Sequence, residues 1–252
     1  MDRARYSFIA HTTHDYCNPI STAGVERFLD IIAPARGCRV LDIGCGKGEL
    51  LARFAERFAA RAVGIDTSDL FLSEARQRAA SRAGEGSVEL HTRDAAEFLA
   101  STSPEFDIAC CIGSTHALGG LDTTMTTLAR IVRAPGWALV GEGYWKRPPA
   151  PEYLQALGAS ASDFQTHAGN IAAGVRAGLV PMHASTASDD DWDRYEWAYC
   201  RNIELFVEQH PDDPDAAAML DRARCWRDVV LHWGRDTLGF GLYLFRVPRT
   251  TV

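Results

Sequence analysis

The chain has 252 residues, 46% of them hydrophobic, enough for one large domain with a substantial core or for one domain carrying an inserted lid. Its 26 basic and 33 acidic residues leave a net charge of -7, which argues against the extended basic face that grips a phosphate backbone, so nucleic acid is not an expected partner. The first residues lack an apolar run of signal-peptide length, no later stretch is apolar for long enough to cross a bilayer, and the seven cysteines, with no C-x-x-C pair, read as reduced thiols of a cytoplasmic protein.

Taken in chain order, the first cluster is His11, His14, Asp15, Tyr16 and Cys17, ahead of Asn18-Pro19, which marks an extended segment or turn. The H-x-x-H spacing invites a metal, but no second cluster completes a ligand set, and none is expected. A strand from Arg39 to Ile43 leads through glycines into a helix on which Leu50, Leu51, Phe54 and Phe58 share a face. Ala62 to Ile65 is the second strand, Thr67-Ser68-Asp69 caps a helix running to Arg82, and Val88 to His91 is the third strand, followed by Asp94 and a helix carrying Phe98 and Leu99. Phe106 to Ile112 is apolar almost throughout, as a central parallel strand must be. A helix from about Thr123 to Arg133 and a strand from Trp137 to Glu142 follow.

Beyond Gly143 the regular alternation loosens at Pro148, Pro149 and Pro151, before a helical stretch from Glu152 to Leu157. A helix from His167 to Ala177 and a strand from Val180 to Ala187 resume it. Two helices, Trp192 to Gln209 capped by Asp189, Asp190 or Asp191, and a second ending near Trp233, then read as an insertion before a last strand, Phe240 to Val247. This pattern indicates an α/β fold with a doubly wound parallel sheet and a ligand at the carboxyl ends of its strands.

Residues Val40 to Gly48 read Val-Leu-Asp-Ile-Gly-Cys-Gly-Lys-Gly, and the second strand ends in Gly64-Ile65-Asp66. Glycines let the backbone approach a ligand where a β-carbon would collide, and the two acids offer acceptors to charged or hydroxylated parts of it. A dinucleotide fingerprint is G-x-G-x-x-G after a neutral residue, because a pyrophosphate sits on the helix N-terminus. Here the run is Gly44-x-Gly46-x-Gly48 after Asp42, an acid that repels pyrophosphate and suits an ammonium group, so a nicotinamide dehydrogenase is disfavoured.

These two linked motifs resemble those of the class I S-adenosylmethionine (SAM) dependent methyltransferases, over about residues 37–140. The resemblance implies a Rossmann-like, seven-stranded, mostly parallel sheet whose last strand is antiparallel and inserted beside the sixth. It implies SAM as cofactor and S-adenosylhomocysteine (SAH) as product. Asp42 then lies near the methionine amino end, Gly44, Cys45 and Gly46 form the floor with Gly48 also in the cofactor-binding loop, and Asp66 followed by Thr67 takes the ribose. Asp94 with Ala95 accepts from the adenine amino group, although an Asp there also serves as a simple helix cap. Cys111, Ile112 and Gly113 bring backbone close to the cofactor, with Cys111 reading equally well as a buried thiol. Tyr144-Trp145 and the run Trp192 to Glu196 are similar to bacterial small-molecule enzymes near the ubiquinone and menaquinone C-methyltransferases.

On this reading residues 1–252 form one domain: 1–36 an N-terminal segment folded across the cofactor, 37–142 the cofactor core, and 143–252 a substrate-side region with a helical lid over about 189–235. Methyl transfer is an in-line displacement in which alignment accounts for roughly 7 to 11 kcal/mol in favourable systems, so a strong base is often unnecessary. Where one is needed, His116 just past the fourth strand is the candidate, since an imidazole suits proton removal near neutral pH. Glu142 is placed to bind a cation or act as a base. Tyr144 and Trp145 offer an aromatic wall, or simply pack beneath the insertion. Trp192, Tyr195 and Tyr199 recur at helical spacing, so the lid is expected to be held down by most of its aromatics while Trp192 and Tyr195, with His14 and Tyr16, reach the pocket. The expected acceptor is a small molecule, aromatic, heterocyclic or cationic; its methylated atom and the oligomeric state are not legible. A SAM-binding sensor or accessory subunit would share the loop, but the polar strand ends favour an enzyme.

Overall fold

Short apolar runs buried on both faces form the centre of the sheet, where β1 (Arg39–Ile43) and β4 (Phe106–Ile112) pair in parallel, Val40 opposite Ile108 through Ile43 opposite Cys111. The structure is a computed structural model that describes residues 1–84, 86–100 and 105–249. β2 (Arg61–Asp66) flanks β1, with β3 (Val88–Thr92) beyond it. β5 (Val132–Trp145) pairs with β4, and β7 (Leu238–Val247) lies between β5 and β6 (Val180–Thr186), antiparallel to β6. The order β3-β2-β1-β4-β5-β7-β6 is the expected seven-stranded sheet with its last strand inserted. It also turns in opposite directions from β1 and β4, which makes the crevice at their carboxyl ends the place for a ligand.

The chain divides into two compact units. The sheet unit comprises Thr22–Glu142, His167–Thr186 and Gly241–Val252; the helical unit comprises Met1–Ser21, Gly143–Thr166 and Ala187–Phe240. In the sheet unit, Leu41, Ile43, Ile65, Phe106, Leu128, Val140 and Phe245 belong to one buried cluster, each contributing roughly 1.5 to 3 kcal/mol by burial. Helix α3 (Glu49–Phe58) buries Leu50, Leu51 and Phe54. Its buried Glu49 pairs with Arg53 and with Arg78 and Arg82 of α4 (Asp69–Arg82), tying the two helices together.

The N-terminal 36 residues contain two helices. Residues 3–10 form α1 (Arg3–Ala10), capped by Asp2, whose side chain accepts from Ala4 N at 2.8 Å. A second helix, α2 (Thr22–Ile32), buries Val25, Phe28, Leu29 and Ile32 and belongs to the sheet unit. The split follows from two separate apolar faces. In α1 that face is Tyr6, Ile9 and Ala10, which pack with Ile203 of α9 (Asp189–Gln209) and Met219 and Ala223 of α10 (Ala216–Val229).

Two further boundaries moved. The N-cap of α9 is Ser188 rather than one of the three aspartates: its Oγ accepts from Asp191 N at 3.1 Å while Asp191 Oδ2 accepts from Ser188 N at 2.9 Å. This reciprocal pair needs a hydroxyl followed three residues later by an acid, and the aspartates inside the first turn face the positive end of the helix dipole. β5 extends from Val132 to Trp145, beyond the expected Trp137 to Glu142, because Val132 leaves the helix α6 (Leu121–Ile131) directly into extended backbone.

Candidate active site

The parallel register aligns the carboxyl ends of β1, β2 and β4, with Ile43 opposite both Ile65 and Cys111. From there the chain leaves β1 through Gly44, Gly46 and Gly48, at φ of 70°, 51° and 71°, where side chains are strained. The N–H groups of Gly44 and Cys45 both donate to Ile65 O, at 2.8 and 3.0 Å, which pins the loop to β2. A β-carbon at Gly44 would lie 2.1 Å from Ser114 Oγ and 2.4 Å from Ser114 Cβ, so the loop after β1 packs directly against the Ser114 side chain. At Gly48 a β-carbon would lie 2.9 Å from Ala75 Cβ, so the start of α3 packs closely on α4 there. The Cys45 side chain is buried and turned toward β2, its Sγ 2.8 Å from where Gly64 would carry a β-carbon.

Asp66 closes the loop. Its Oδ2 accepts from Gly46 N at 2.9 Å and its Oδ1 from Ser68 N at 2.8 Å, leaving lone pairs on each oxygen for further donors. Thr67 beside it is exposed. Asp94 is exposed and caps α5 (Ala95–Leu99) by accepting from Glu97 N at 2.9 Å, while Ala95 is buried. Lys47 is buried inside the loop with its Nζ 3.0 Å from Glu74 Oε2 of α4. A lysine between glycines was the available signal.

Asp42 is buried in β1 beside Gly64 and Cys110. Burial, with repulsion from Asp66 added, pushes its carboxyl from an ordinary 3.8 up to about 8. The folded chain therefore holds one more proton than the unfolded chain between these values, and the stability this contributes is full below about pH 4 and lost as pH rises through about 8. Without cofactor, the unfolding free energy of the wild type is expected to fall relative to that of Asp42→Asn across this window. Denaturant titrations of both proteins at several pH values check it, and parallel profiles would refute the assignment.

At the ends of β4 and β5, the buried Thr115 donates its hydroxyl to Glu142 Oε2. Thr115 lies in a single turn of 3-10 helix, Thr115–Leu118, with His116 exposed on it. Gly113 sits at φ 69° and donates to Gly141 O at 2.8 Å. Cys111 and Ile112 are buried, and burial drives the Cys111 thiol pKa upward, as an ordinary core cysteine requires. The structure thus brings Asp42, the glycine loop, Asp66, Gly113, His116 and Glu142 to one sheet unit. Thr115 is not legible as a site residue in the sequence, because a threonine after a strand carries no distinguishing pattern.

The other expected residues belong to the helical unit. Trp145 is buried among Tyr153 and Phe164, with its indole N–H donating to Ala161 O at 2.9 Å, which is the packing role rather than the open wall. Tyr144 is half-buried against Gly239. His14 Nε2 donates to Tyr195 O at 3.0 Å and its ring meets that of Tyr195 edge-on; Tyr16 is half-buried nearby in sequence. The Tyr195 hydroxyl lies 3.2 Å from Cys17 O and 3.0 Å from His11 Nε2, and burial raises its pKa well above the usual phenol range. His11 is thereby committed to Tyr195 and Ser7. The Trp192 indole N–H is buried with no acceptor among the described residues.

A topological switch point with a glycine cradle, a buried acid at its first strand and a second acid bridging the loop defines an α/β protein built for a nucleoside cofactor. Comparisons with known proteins carry this further. Residues 40–136 match the family described as a methyltransferase domain. Over 245 residues the chain is 31% identical to the uncharacterized protein YjhP of Escherichia coli K12, covering 96% of this chain and 98% of that one. A solved SAM-dependent methyltransferase from Geobacter sulfurreducens, in complex with SAH, superposes with a TM-score of 0.89 at 30% identity, over 97% of this chain and 98% of that one. A ubiquinone biosynthesis O-methyltransferase of Thiobacillus denitrificans is 32% identical over only 44% of this chain and 47% of its own. The chain belongs to the class I SAM-dependent methyltransferase family.

The residues present fit that cofactor. Asp66 keeps acceptor capacity beyond its two backbone donors, and the Asp42 carboxyl, neutralised by burial, is one that an incoming ammonium recharges.

Proposed function

We propose that this methyltransferase alkylates a small-molecule acceptor, with the cofactor held by Asp42, the Gly44–Gly48 loop, Asp66 and Thr67, and backbone at Gly113, and with Asp94 and Ala95 beside the adenine. Bound SAM supplies an electrophilic methyl group on its sulfonium. Asp42 receives the ammonium of the methionine end and Asp66 the ribose hydroxyls, so each acid meets the cofactor group it can hydrogen-bond. Glu142, oriented by the Thr115 hydroxyl, and His116 are the groups at this rim able to hold the acceptor or take its proton. Tyr144, His14, Tyr16, Trp192 and Tyr195 supply the aromatic and hydrogen-bonding surface of the helical unit, where the buried Trp192 N–H is a donor for a polar acceptor group.

The observation that carries this reading is the Asp66 bridge from β2 to Gly46, which holds the loop and leaves the carboxylate able to accept again. The chain is proposed to act in the cytoplasm, supported by seven free cysteines and by the fact that no helix among the described residues is long and apolar enough to cross a membrane. Incubation of the chain with methyl-labelled SAM and fractionated cell metabolites is expected to place label in a small product. Once that product is known, Glu142→Gln is expected to lower turnover by roughly 100-fold or more if the carboxylate takes the proton. His116→Ala is the matched comparison, and normal turnover in both variants would leave alignment as the whole contribution at this rim.

A further inference from the structure

In the helical unit, α9, α10, the end of α1 and α7 (Pro151–Leu157) border an open cleft of about 620 Å³. Leu157, Tyr199 and Trp226 form apolar and aromatic walls, and Glu196 of α9 lines the same space. Glu196 is only 8% exposed. Its Oε2 accepts from Trp226 Nε1 at 2.7 Å, whereas Oε1 has no donor among the described residues, and none of their cationic groups lies within ion-pairing distance. The cations around it are engaged elsewhere. Arg222 and His11 also line the cleft, but Arg222 lies over the Tyr6 ring, 5.3 Å from its centroid, and His11 Nδ1 donates to Ser7 O at 2.7 Å while Nε2 meets the Tyr195 hydroxyl; Arg227 pairs with Asp228.

A carboxyl buried without a counter-charge is costly, and burial pushes this one up to about 7 despite the indole donor. A group so placed, against a cleft large enough for a ligand, is a site waiting for the charge it lacks. We propose that this cleft binds a compact organic cation, a primary or secondary ammonium that donates to Glu196 Oε1 while its apolar body rests on Tyr199, Trp226 and Leu157. Aromatic faces add cation attraction to the ion pair. A neutral ligand of the same shape gains the apolar contact alone. The inference goes beyond methyl transfer and stands on the helical unit by itself.

Titration calorimetry of the intact chain with 2-phenylethylammonium and with its neutral counterpart 2-phenylethanol tests it. The ammonium is expected to bind about tenfold more tightly or better, the margin of one charge-assisted hydrogen bond. Glu196→Gln, nearly isosteric, is expected to remove that preference and leave the alcohol unchanged. Ala156→Trp, an exposed position lining the cleft, is expected to block both probes. Absence of ammonium binding, equal affinity for the two probes, a preference that survives Glu196→Gln, or binding that survives Ala156→Trp would each overturn the proposal. SAH is titrated separately on the same proteins and is expected to bind all three alike, so a failure of the cofactor site shows in that titration only.

Discussion

Gly44→Ala is expected to abolish measurable SAH binding and to cost roughly 2 to 5 kcal/mol of stability. Two effects add. The residue sits at φ 70°, a left-handed conformation that costs a side chain roughly 1 to 2 kcal/mol. The new β-carbon would also lie 2.1 Å from Ser114 Oγ and 2.4 Å from Ser114 Cβ, contacts that no rotamer change relieves, because Cβ does not move with χ1. Either the loop after β1 or the turn after β4 must shift, and the backbone that should approach the cofactor goes with it. Ser114→Gly removes both colliding atoms and leaves only Ser114 Cα at 3.9 Å. The double variant should therefore recover about 1 to 3 kcal/mol, leaving the backbone term alone. Denaturant unfolding of the four proteins of this cycle checks it. A double variant no more stable than Gly44→Ala would show that the steric account is mistaken.

Asp66→Asn should weaken SAH binding by about 10- to 150-fold, equivalent to roughly 1.5 to 3 kcal/mol for a charge-assisted hydrogen bond. The substitution keeps shape but supplies one oxygen where the native group supplies two. Gly46 N and Ser68 N each approach a different oxygen, so the new amide must point its N–H₂ at one of two backbone donors. Donor facing donor opens the loop as well as removing charge, and Asp66→Ala should behave similarly because it loses both acceptors. Calorimetry at fixed salt measures the change. Wild-type affinity in Asp66→Asn would remove this carboxylate from the cofactor site and with it the central support for the proposed arrangement.

Particular residues show why some of this site was legible in the sequence. Gly44, Gly46 and the two acids could be read because their chemistry is local: a glycine at positive φ and an acid at a strand end constrain their own neighbourhood whatever surrounds them. Gly48 belonged to the same motif, yet its requirement comes from Ala75 in another helix, and one chain segment carries no record of that contact. Asp94 had two readings, and the cap is visible because Glu97 N is three residues away. Whether it also meets adenine depends on a ligand. The Val25, Phe28, Leu29, Ile32 face of α2 was present as spacing but stood behind Asn18-Pro19, which suggested extended chain. Trp145 had two readings, a wall or packing, and only the tertiary contacts with Ala161, Tyr153 and Phe164 show how it is packed.

The order of strands and helices, the glycine turn and the cofactor class were determined by the sequence itself, since periodicity, backbone freedom and the sign of a charge act over a few residues. Tertiary structure alone decided that the first 36 residues serve two different units, that Thr115 orients Glu142, and that Glu196 is a buried acid without a counter-charge. Each of these depends on what lies across a packed interface, where burial sets both the hydrogen-bond partner and the cost of holding charge.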